Sequence, residues 1–286
     1  MYILNPICRH LRTALSEGRA LVAINAPGFD AMAGMGRASR ETGRPLIVQV
    51  SARTVRRHGA PVVKAWFDTA RKISQGDIHL HLDHCQDEAI LSACIEAGWD
   101  MVMFDGSQLP IAENCARSRA LVARAHAAGC AVEGEVGPIG GEEDGHEALA
   151  NIARPEDIHA LATTTGIDCI AVGFGNVHGD YATKANLRWD VYEGARAIAG
   201  LPLVLHGGSG LTEAEFARAI RAGSAKINIS TDLKKAYAAV AADPDLAARL
   251  KRDPGAIHDA LEAAAHAVAL RYALLFATPA EQGPTP

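Results

Sequence analysis

Three histidines stand where a metal ion could be held. His84, His178 and His206 each close or follow a different short apolar segment. Three neutral imidazoles that leave one coordination position open are the ligand set of a catalytic zinc ion. Their wide spacing excludes a zinc finger, whose ligands come in close pairs. His79 and His81 add an HxH pattern that a binuclear hydrolase could use, but both lie inside an apolar run rather than at its end. They read as hydrogen-bonded interior histidines. The remaining histidines fall mostly on stretches with helical spacing and read as surface residues.

Small residues follow two of the same segments. Gly207-Gly208-Ser209-Gly210 comes directly after His206, and Asn228-Ile229-Ser230-Thr231-Asp232 closes a later apolar run. Glycine and serine let backbone N–H groups approach phosphate oxygens. A third segment, Gly137-Pro138-Ile139-Gly140-Gly141-Glu142-Glu143-Asp144-Gly145, brackets an acidic cluster with glycines and reads as a mobile lid carrying carboxylates.

These groups need a scaffold that gathers distant segments at one rim. Eight short apolar, β-branched runs recur, at 21–25, 46–50, 78–82, 101–104, 131–136, 169–172, 203–205 and 225–229. Between them lie stretches with helical spacing, such as 88–97, 112–128, 155–164 and 213–222. Gly98, Gly129, Gly166 and Gly223 end several of these, as suits the left-handed residue past a helix. Strand alternating with helix predicts a parallel sheet, and continuously apolar strands predict burial on both faces. Eight such units predict an α/β chain closed as a (β/α)8 TIM barrel. An open doubly wound sheet would carry GxGxxG after its first strand, which Asn25-Ala26-Pro27-Gly28-Phe29-Asp30 does not supply.

In such a barrel the chemistry sits at the C-terminal strand ends, and the loops after the last two strands frequently bind phosphate. The residues at those ends are Asn25, Ser51, Asp83 with His84, Asp105, Glu135, the loop 175–179, His206 and Asn228. Polar groups therefore converge on one rim. A single barrel domain is expected over residues 1–278, with a disordered Pro- and Gly-rich tail over 279–286.

Composition narrows the setting. Hydrophobic residues make up 49% and charged residues 21% of the 286, the balance of a soluble chain with a filled core. The net charge is −5, and basic residues are scattered singly or in pairs such as Arg56-Arg57 and Lys234-Lys235, so no nucleic-acid partner is expected. Six cysteines without a CxxC pair read as reduced thiols of a cytoplasmic protein. Residues 1–12 contain charges and no long apolar run. Neither a signal peptide nor a membrane anchor is expected.

The segments His81-Leu82-Asp83-His84, Met103-Phe104-Asp105-Gly106-Ser107, Glu133-Gly134-Glu135, Gly140-Gly141-Glu142-Glu143-Asp144-Gly145, His178-Gly179-Asp180-Tyr181, Leu205-His206-Gly207-Gly208-Ser209-Gly210 and Lys226-Ile227-Asn228 occur in that order. Together they resemble the class II, zinc-dependent ketose-bisphosphate aldolases, in particular the branch that includes tagatose-bisphosphate aldolases. The likeness runs from about residue 1 to the helix after Asp232. It implies a lyase that reversibly cleaves a phosphorylated ketose to dihydroxyacetone phosphate, or a related ketone, and an aldehyde.

Carried over residue by residue, the resemblance makes His84, His178 and His206 zinc ligands, with Asp105 and Glu135 at an alternative, more buried metal position. Asp83 becomes the proton donor to the aldehyde oxygen, and Glu143 the lid carboxylate that moves the substrate's C–H proton. Backbone carbonyls of Val177, Gly179, Gly207 and Ser209 match a monovalent-cation site for Na+ or K+. Ser51, Gly179, Gly207, Gly208, Ser209, Ser230 and Thr231 match phosphate contacts, and Asn25 and Asn228 orient the rest of the substrate. A homodimer or homotetramer is implied. Elementary chemistry agrees: charge developed beside a carbonyl can be stabilised by a Lewis acid, so no Schiff-base lysine is needed.

Four departures bear on the substrate. Gly28 replaces a common Asn, Ala182 replaces a lysine often found after Tyr181 with Lys184 nearby, and the stretch between Gly145 and Pro155 is shorter than usual. Arg53, Arg56 and Arg57 follow Ser51, where they could meet the distal end of a substrate, although solvent is the simpler reading for at least two. The rival readings are a non-catalytic aldolase-like partner subunit and another zinc lyase, isomerase or hydrolase on the same barrel. The first should have lost zinc ligands, and all three histidines are present.

Overall fold

Apolar runs too short for buried helices, separated by amphipathic segments, produce the predicted barrel. The computed structural model describes residues 5–143, 146–148, 151–179 and 187–278. Its strands are β1 (Leu21–Asn25), β2 (Leu46–Ser51), β3 (Ile78–Cys85), β4 (Met101–Phe104), β5 (Ala131–Val136), β6 (Gly141–Glu143), β7 (His146–Ala148), β8 (Cys169–Val172), β9 (Leu203–Leu205) and β10 (Ser224–Ile229). All except β6 and β7 pair in parallel into a closed barrel in the order β1-β10-β9-β8-β5-β4-β3-β2.

The helices are α1 (Pro6–Ser16), α2 (Phe29–Thr42), α3 (Ala52–His58), α4 (Ala60–Ser74), α5 (Glu88–Glu96), α6 (Ile111–Ala127), α7 (Pro155–Thr165), α8 (Trp189–Ala199), α9 (Glu213–Ala222), α10 (Thr231–Ala241), α11 (Pro244–Leu250) and α12 (Ala256–Leu275). Gly98, Gly129, Gly166 and Gly223 all have positive φ at helix ends, as their positions predict. No described helix is long and apolar enough to cross a membrane. All six cysteines are free and buried.

Strand alternation sorts side chains into two environments. On β3, Ile78, Leu80 and Leu82 join the large core beneath the helices, while His79, His81 and Asp83 take the alternate positions. The barrel interior is graded along its axis. Its lower part is apolar, built from residues such as Leu21, Ala23, Ile47, Met101, Ala131 and Val204, and α1 closes it with Ile7, Cys8, Leu11 and Ala14. Each large side chain buried there contributes about 1.5–3 kcal/mol. Asn5 anchors this plug: its Oδ1 caps α1 at Ile7 N, and its Nδ2 donates to the carbonyls of Asp100 at 2.8 Å and Gly129 at 2.6 Å. Higher in the barrel the interior becomes polar, with Gln49, His81, Glu133 and Lys226 all buried.

Two expectations need correction. β3 continues past residue 82 to Cys85, taking Asp83 and His84 into the strand. Within the segment expected as a lid, β6 and β7 pair antiparallel with Glu143 opposite His146. Asp144 and Gly145 lie outside the described residues. Finally, His79 and His81 lie buried in the barrel as expected, but only His81 Nδ1 has a hydrogen-bond partner, Gln49 Nε2 at 3.5 Å, while both His79 ring nitrogens and His81 Nε2 make no aligned hydrogen bond. Around His79 the lower barrel is apolar apart from Asp77, whereas the carboxylate near His81 Nε2, Glu133 Oε2, stands 3.9 Å away. The 279–286 tail also lies outside the described residues.

Candidate active site

His84 would face away from Asp83 in a regular strand, because consecutive residues point to opposite faces. Two irregularities change this. The β3–β4 register shifts between Leu82 and Cys85, and His84 takes φ 39°, a left-handed conformation that costs a residue with a Cβ about 1–2 kcal/mol. Asp83 and His84 consequently share the rim. His206 arrives just past β9, and His178 on the loop after β8. One coordinating atom from each of the three histidines lies within 4.8 Å of the others.

The loop that carries His178 is fastened on both sides. Asn176 Nδ2 donates to the His206 carbonyl at 2.9 Å, and its Oδ1 accepts from Phe174 N. His178 N donates to the Gly140 carbonyl at 2.7 Å. Gly141, with φ 92°, has to be glycine, because a Cβ there would come 2.6 Å from the His178 carbonyl. The hairpin therefore leaves the barrel directly against a candidate metal ligand.

Carboxylates hold the outer nitrogens of two rings. His84 Nδ1 lies 3.0 Å from Asp105 Oδ2, and His206 Nε2 lies 2.8 Å from Glu133 Oε1. The inner nitrogens, His84 Nε2 and His206 Nδ1, then face each other at 2.8 Å. Burial pushes the Asp105 carboxyl up, but the His84 hydrogen bond and charge, with Ser107, hold it well below the usual range. Burial likewise raises Glu133, and the Lys226 ammonium and His206 more than offset this. Burial lowers His84, yet Asp83, Asp105 and Glu135 outweigh it and raise its pKa. His206 is pulled down to about 3, chiefly by burial. A single proton between the inner nitrogens satisfies both rings, and a divalent cation would take its place. The donor set thus fits a zinc ion, with outer partners that fix each ring's orientation.

Glu135 completes a second group with His84 and Asp105, whose donor atoms also lie within 4.8 Å of one another. Burial, then the nearby Asp105 charge, raises its carboxyl well above the ordinary range. Asp83, 2% exposed, is held by amides: Gln49 Nε2 at 2.6 Å, Asn25 Nδ2 at 3.1 Å and Asn228 Nδ2 at 3.5 Å. Asn25 and Asn228, expected to orient substrate, thus also orient Asp83.

Beside His178 a cavity of about 200 Å³ is lined by Gly179, Gly207, Gly208, Ser209, Asn228, Ser230, Thr231 and Lys234. Thr231 opens α10, so the positive end of that helix faces the cavity. A Cβ at Gly208 would lie 2.7 Å from the Asn228 carbonyl, which explains a glycine there. Three of the four residues expected around a monovalent cation line this cavity; Val177 instead bridges to Gly140. Ser51 lines a neighbouring cavity of about 440 Å³ with Asn25, Arg53, Arg57 and Lys234. Arg53 and Arg57 lie four apart on α3 and reach this cavity, whereas Arg56 does not line it. Asp180, Tyr181, Ala182 and Lys184 lie outside the described residues.

Sequence reasoning gave no role to Gln49, Asn176, Glu133 or Lys226. The last two were visible only inside matching segments. Lys226 Nζ lies 2.8 Å from Glu133 Oε2, and both side chains are fully buried.

The family model described as "Fructose-bisphosphate aldolase class-II" matches residues 5–278. The chain belongs to the class II fructose-bisphosphate aldolase family. As a member it is an aldolase, a carbon–carbon lyase, and the family is zinc-dependent in general. It is 38% identical over 234 residues to the fructose-bisphosphate aldolase of Streptococcus pyogenes serotype M1, covering 80% of this chain and 79% of that protein. It is 34% identical over 230 residues to the sulfofructosephosphate aldolase of Alkalicoccus urumqiensis, covering 79% and 80% respectively. Among solved structures, the YdjI aldolase from Escherichia coli K12 superposes with TM-score 0.81 at 23% identity, over 96% of this chain and 98% of that one. The fructose-bisphosphate aldolase from Campylobacter jejuni gives 0.79 at 20% identity, over 94% and 93%. At those identities the two structures support the fold alone.

Proposed function

We propose that this aldolase, acting as a single barrel domain over 1–278, reversibly cleaves a phosphorylated ketose to dihydroxyacetone phosphate, or a related ketone, and an aldehyde. The observation that carries this reading is the convergence of His84, His178 and His206 beside Asp83, next to a glycine-lined cavity at a helix N-terminus. His84, His178 and His206 would hold zinc, with Asp105 and Glu135 as an alternative, deeper position. Zinc, when bound, supplies Lewis-acid polarisation of the ketone half. Everything else falls to the chain.

Gly179, Gly207, Gly208, Ser209, Ser230 and Thr231 bind the phosphate of the ketone half, and Ser51 with Asn25 and Asn228 positions the rest. The carbonyls of Val177, Gly179, Gly207 and Ser209 hold Na+ or K+ beside that phosphate. In cleavage, Asp83 takes the hydroxyl proton from the carbon that becomes the aldehyde, and the adjacent carbon–carbon bond breaks. Glu143 then delivers a proton to the released carbon of the ketone half. Condensation runs the same transfers backward. Arg53 and Arg57 meet an anionic group at the far end of the aldehyde half. The two named relatives act on ketoses ending in a phosphate or a sulfonate, and guanidinium groups suit either anion. The enzyme is proposed to be cytoplasmic and to form a homodimer or homotetramer.

Two measurements test this. Exhaustive chelation should abolish turnover and zinc restore it, while borohydride with substrate leaves no covalent adduct. A panel of aldehydes ending in phosphate, sulfonate or neither, offered with dihydroxyacetone or its phosphate, should show strong preference for the phosphorylated donor. Full activity in metal-free protein, or equal use of unphosphorylated dihydroxyacetone, overturns the reading.

A further inference from the structure

At the opposite end of the barrel, His10, Asp77 and His79 present three further potential metal ligands. One coordinating atom from each lies within 4.8 Å of the others. His10 comes from α1, Asp77 from the turn before β3, and His79 from β3 itself. His10 was expected at the surface, yet its ring centroid is 5.0 Å from that of His79. We propose that this cluster is a second metal site, distinct from the catalytic centre, that binds a first-row divalent ion such as zinc and ties the N-terminal helix to the barrel floor.

The spacing supports a shared ion. His79 Nε2 is 3.1 Å from Asp77 Oδ1, and His10 Nε2 is 3.3 Å from Asp77 Oδ2. Nitrogen and oxygen ligands at about 2.0–2.2 Å from a tetrahedral zinc ion stand roughly 3.3 Å apart. Asp77 stands within reach of only one His79 nitrogen, Nε2, and His79 Nδ1 is left buried without a partner. His79 is 5% exposed, and neither of its ring nitrogens makes an aligned hydrogen bond although Asp77 is so close. Two ligands of one ion stand at the same short separation. Two imidazoles and one carboxylate suit borderline divalent ions rather than calcium or magnesium, which take oxygen ligands.

The cluster is also built on fixed elements. The Asp77 carbonyl accepts from Leu46 N at 3.0 Å and Ser39 Oγ at 3.1 Å. α1 is pinned through Asn5, and His79 pairs with Ile47 of β2. The charge states favour ligation: burial holds the His10 imidazole below its ordinary pKa, and the His79 contact holds the Asp77 carboxyl below its own. His10 and Asp77 remain 31% and 54% exposed, so an ion can enter and keep water on its outer side.

The test uses protein already carrying zinc at the rim. Isothermal titration with zinc, checked by metal analysis after dialysis, should find one further equivalent in the wild type and none in His10→Gln or Asp77→Asn. Both variants should keep wild-type turnover, which shows that they fold and retain the rim metal. Cobalt added in place of the second zinc should give visible absorption bands that His10→Gln lacks, and zinc should raise the thermal midpoint of the wild type only. A wild type that takes up no further equivalent overturns the proposal. So does a further equivalent retained in both variants.

Discussion

The two ends of this barrel each gather imidazoles and carboxylate around a point, but they are supported differently. At the rim two of the three rings are backed by carboxylates, Asp105 on His84 and Glu133 on His206, and the buried Lys226 backs Glu133 in turn. At the floor the rings meet one half-exposed carboxylate, and the neighbours are the apolar side chains of α1 and the lower strands. The rim is a charged network that must be intact to be tolerated inside a protein. The floor cluster sits at the edge of a hydrophobic plug. Strand β3 supplies both ends, with His79 at the bottom and Asp83 and His84 at the top, so the difference comes from what packs around the strand.

The largest effect that would sharpen this contrast is Glu133→Gln. It leaves the Lys226 ammonium buried without its counter-charge, and breaking such a pair costs about 3–5 kcal/mol. Chemical denaturation should report that loss, together with weaker zinc retention as His206 loses its outer partner. Adding Lys226→Met should recover much of the stability but not the zinc retention. If Glu133→Gln unfolds as the wild type does, the rim is not the coupled network described.

Next in size is the division between two carboxylates. Asp83→Ala should slow cleavage and condensation about a hundredfold or more, yet leave measurable exchange of the donor ketone's C–H proton with deuterated solvent. Glu143→Ala should slow that exchange too. An Asp83 variant that keeps zinc and exchanges nothing, or a Glu143 variant that exchanges normally, breaks the assignment.

Smaller effects belong to the exposed groups. Arg53→Ala or Arg57→Ala should raise KM a few-fold for aldehydes with a distal anion, about 1 kcal/mol for an exposed charge pair, and leave neutral aldehydes unchanged. Equal effects on both substrate types would remove these residues from recognition. Smallest of all, in the presence of chelator, His10→Gln should change stability by only about 0.5 kcal/mol, as for other substitutions outside a tight core. A cost comparable with that of Glu133→Gln would erase the distinction between floor and rim.

What the sequence determined by itself is local. Short continuous runs rich in Val, Ile and Leu marked all eight barrel strands, and glycines marked the helix ends, because those signals depend on neighbours a few residues apart. The rim histidines were legible for the same reason: each closes such a run or lies on the loop that follows it. The tertiary structure alone decided the rest. That Asp83 and His84 face the same centre depends on a register shift and a positive φ at residue 84. Glu133 finds Lys226 across 93 positions, and His10 reaches His79 only because α1 folds back under the barrel. Closure sums eight strand registers, and a one-residue slip in any of them turns side chains to the opposite face. No local pattern carries that sum, so the partners that meet across the barrel become visible only when it closes.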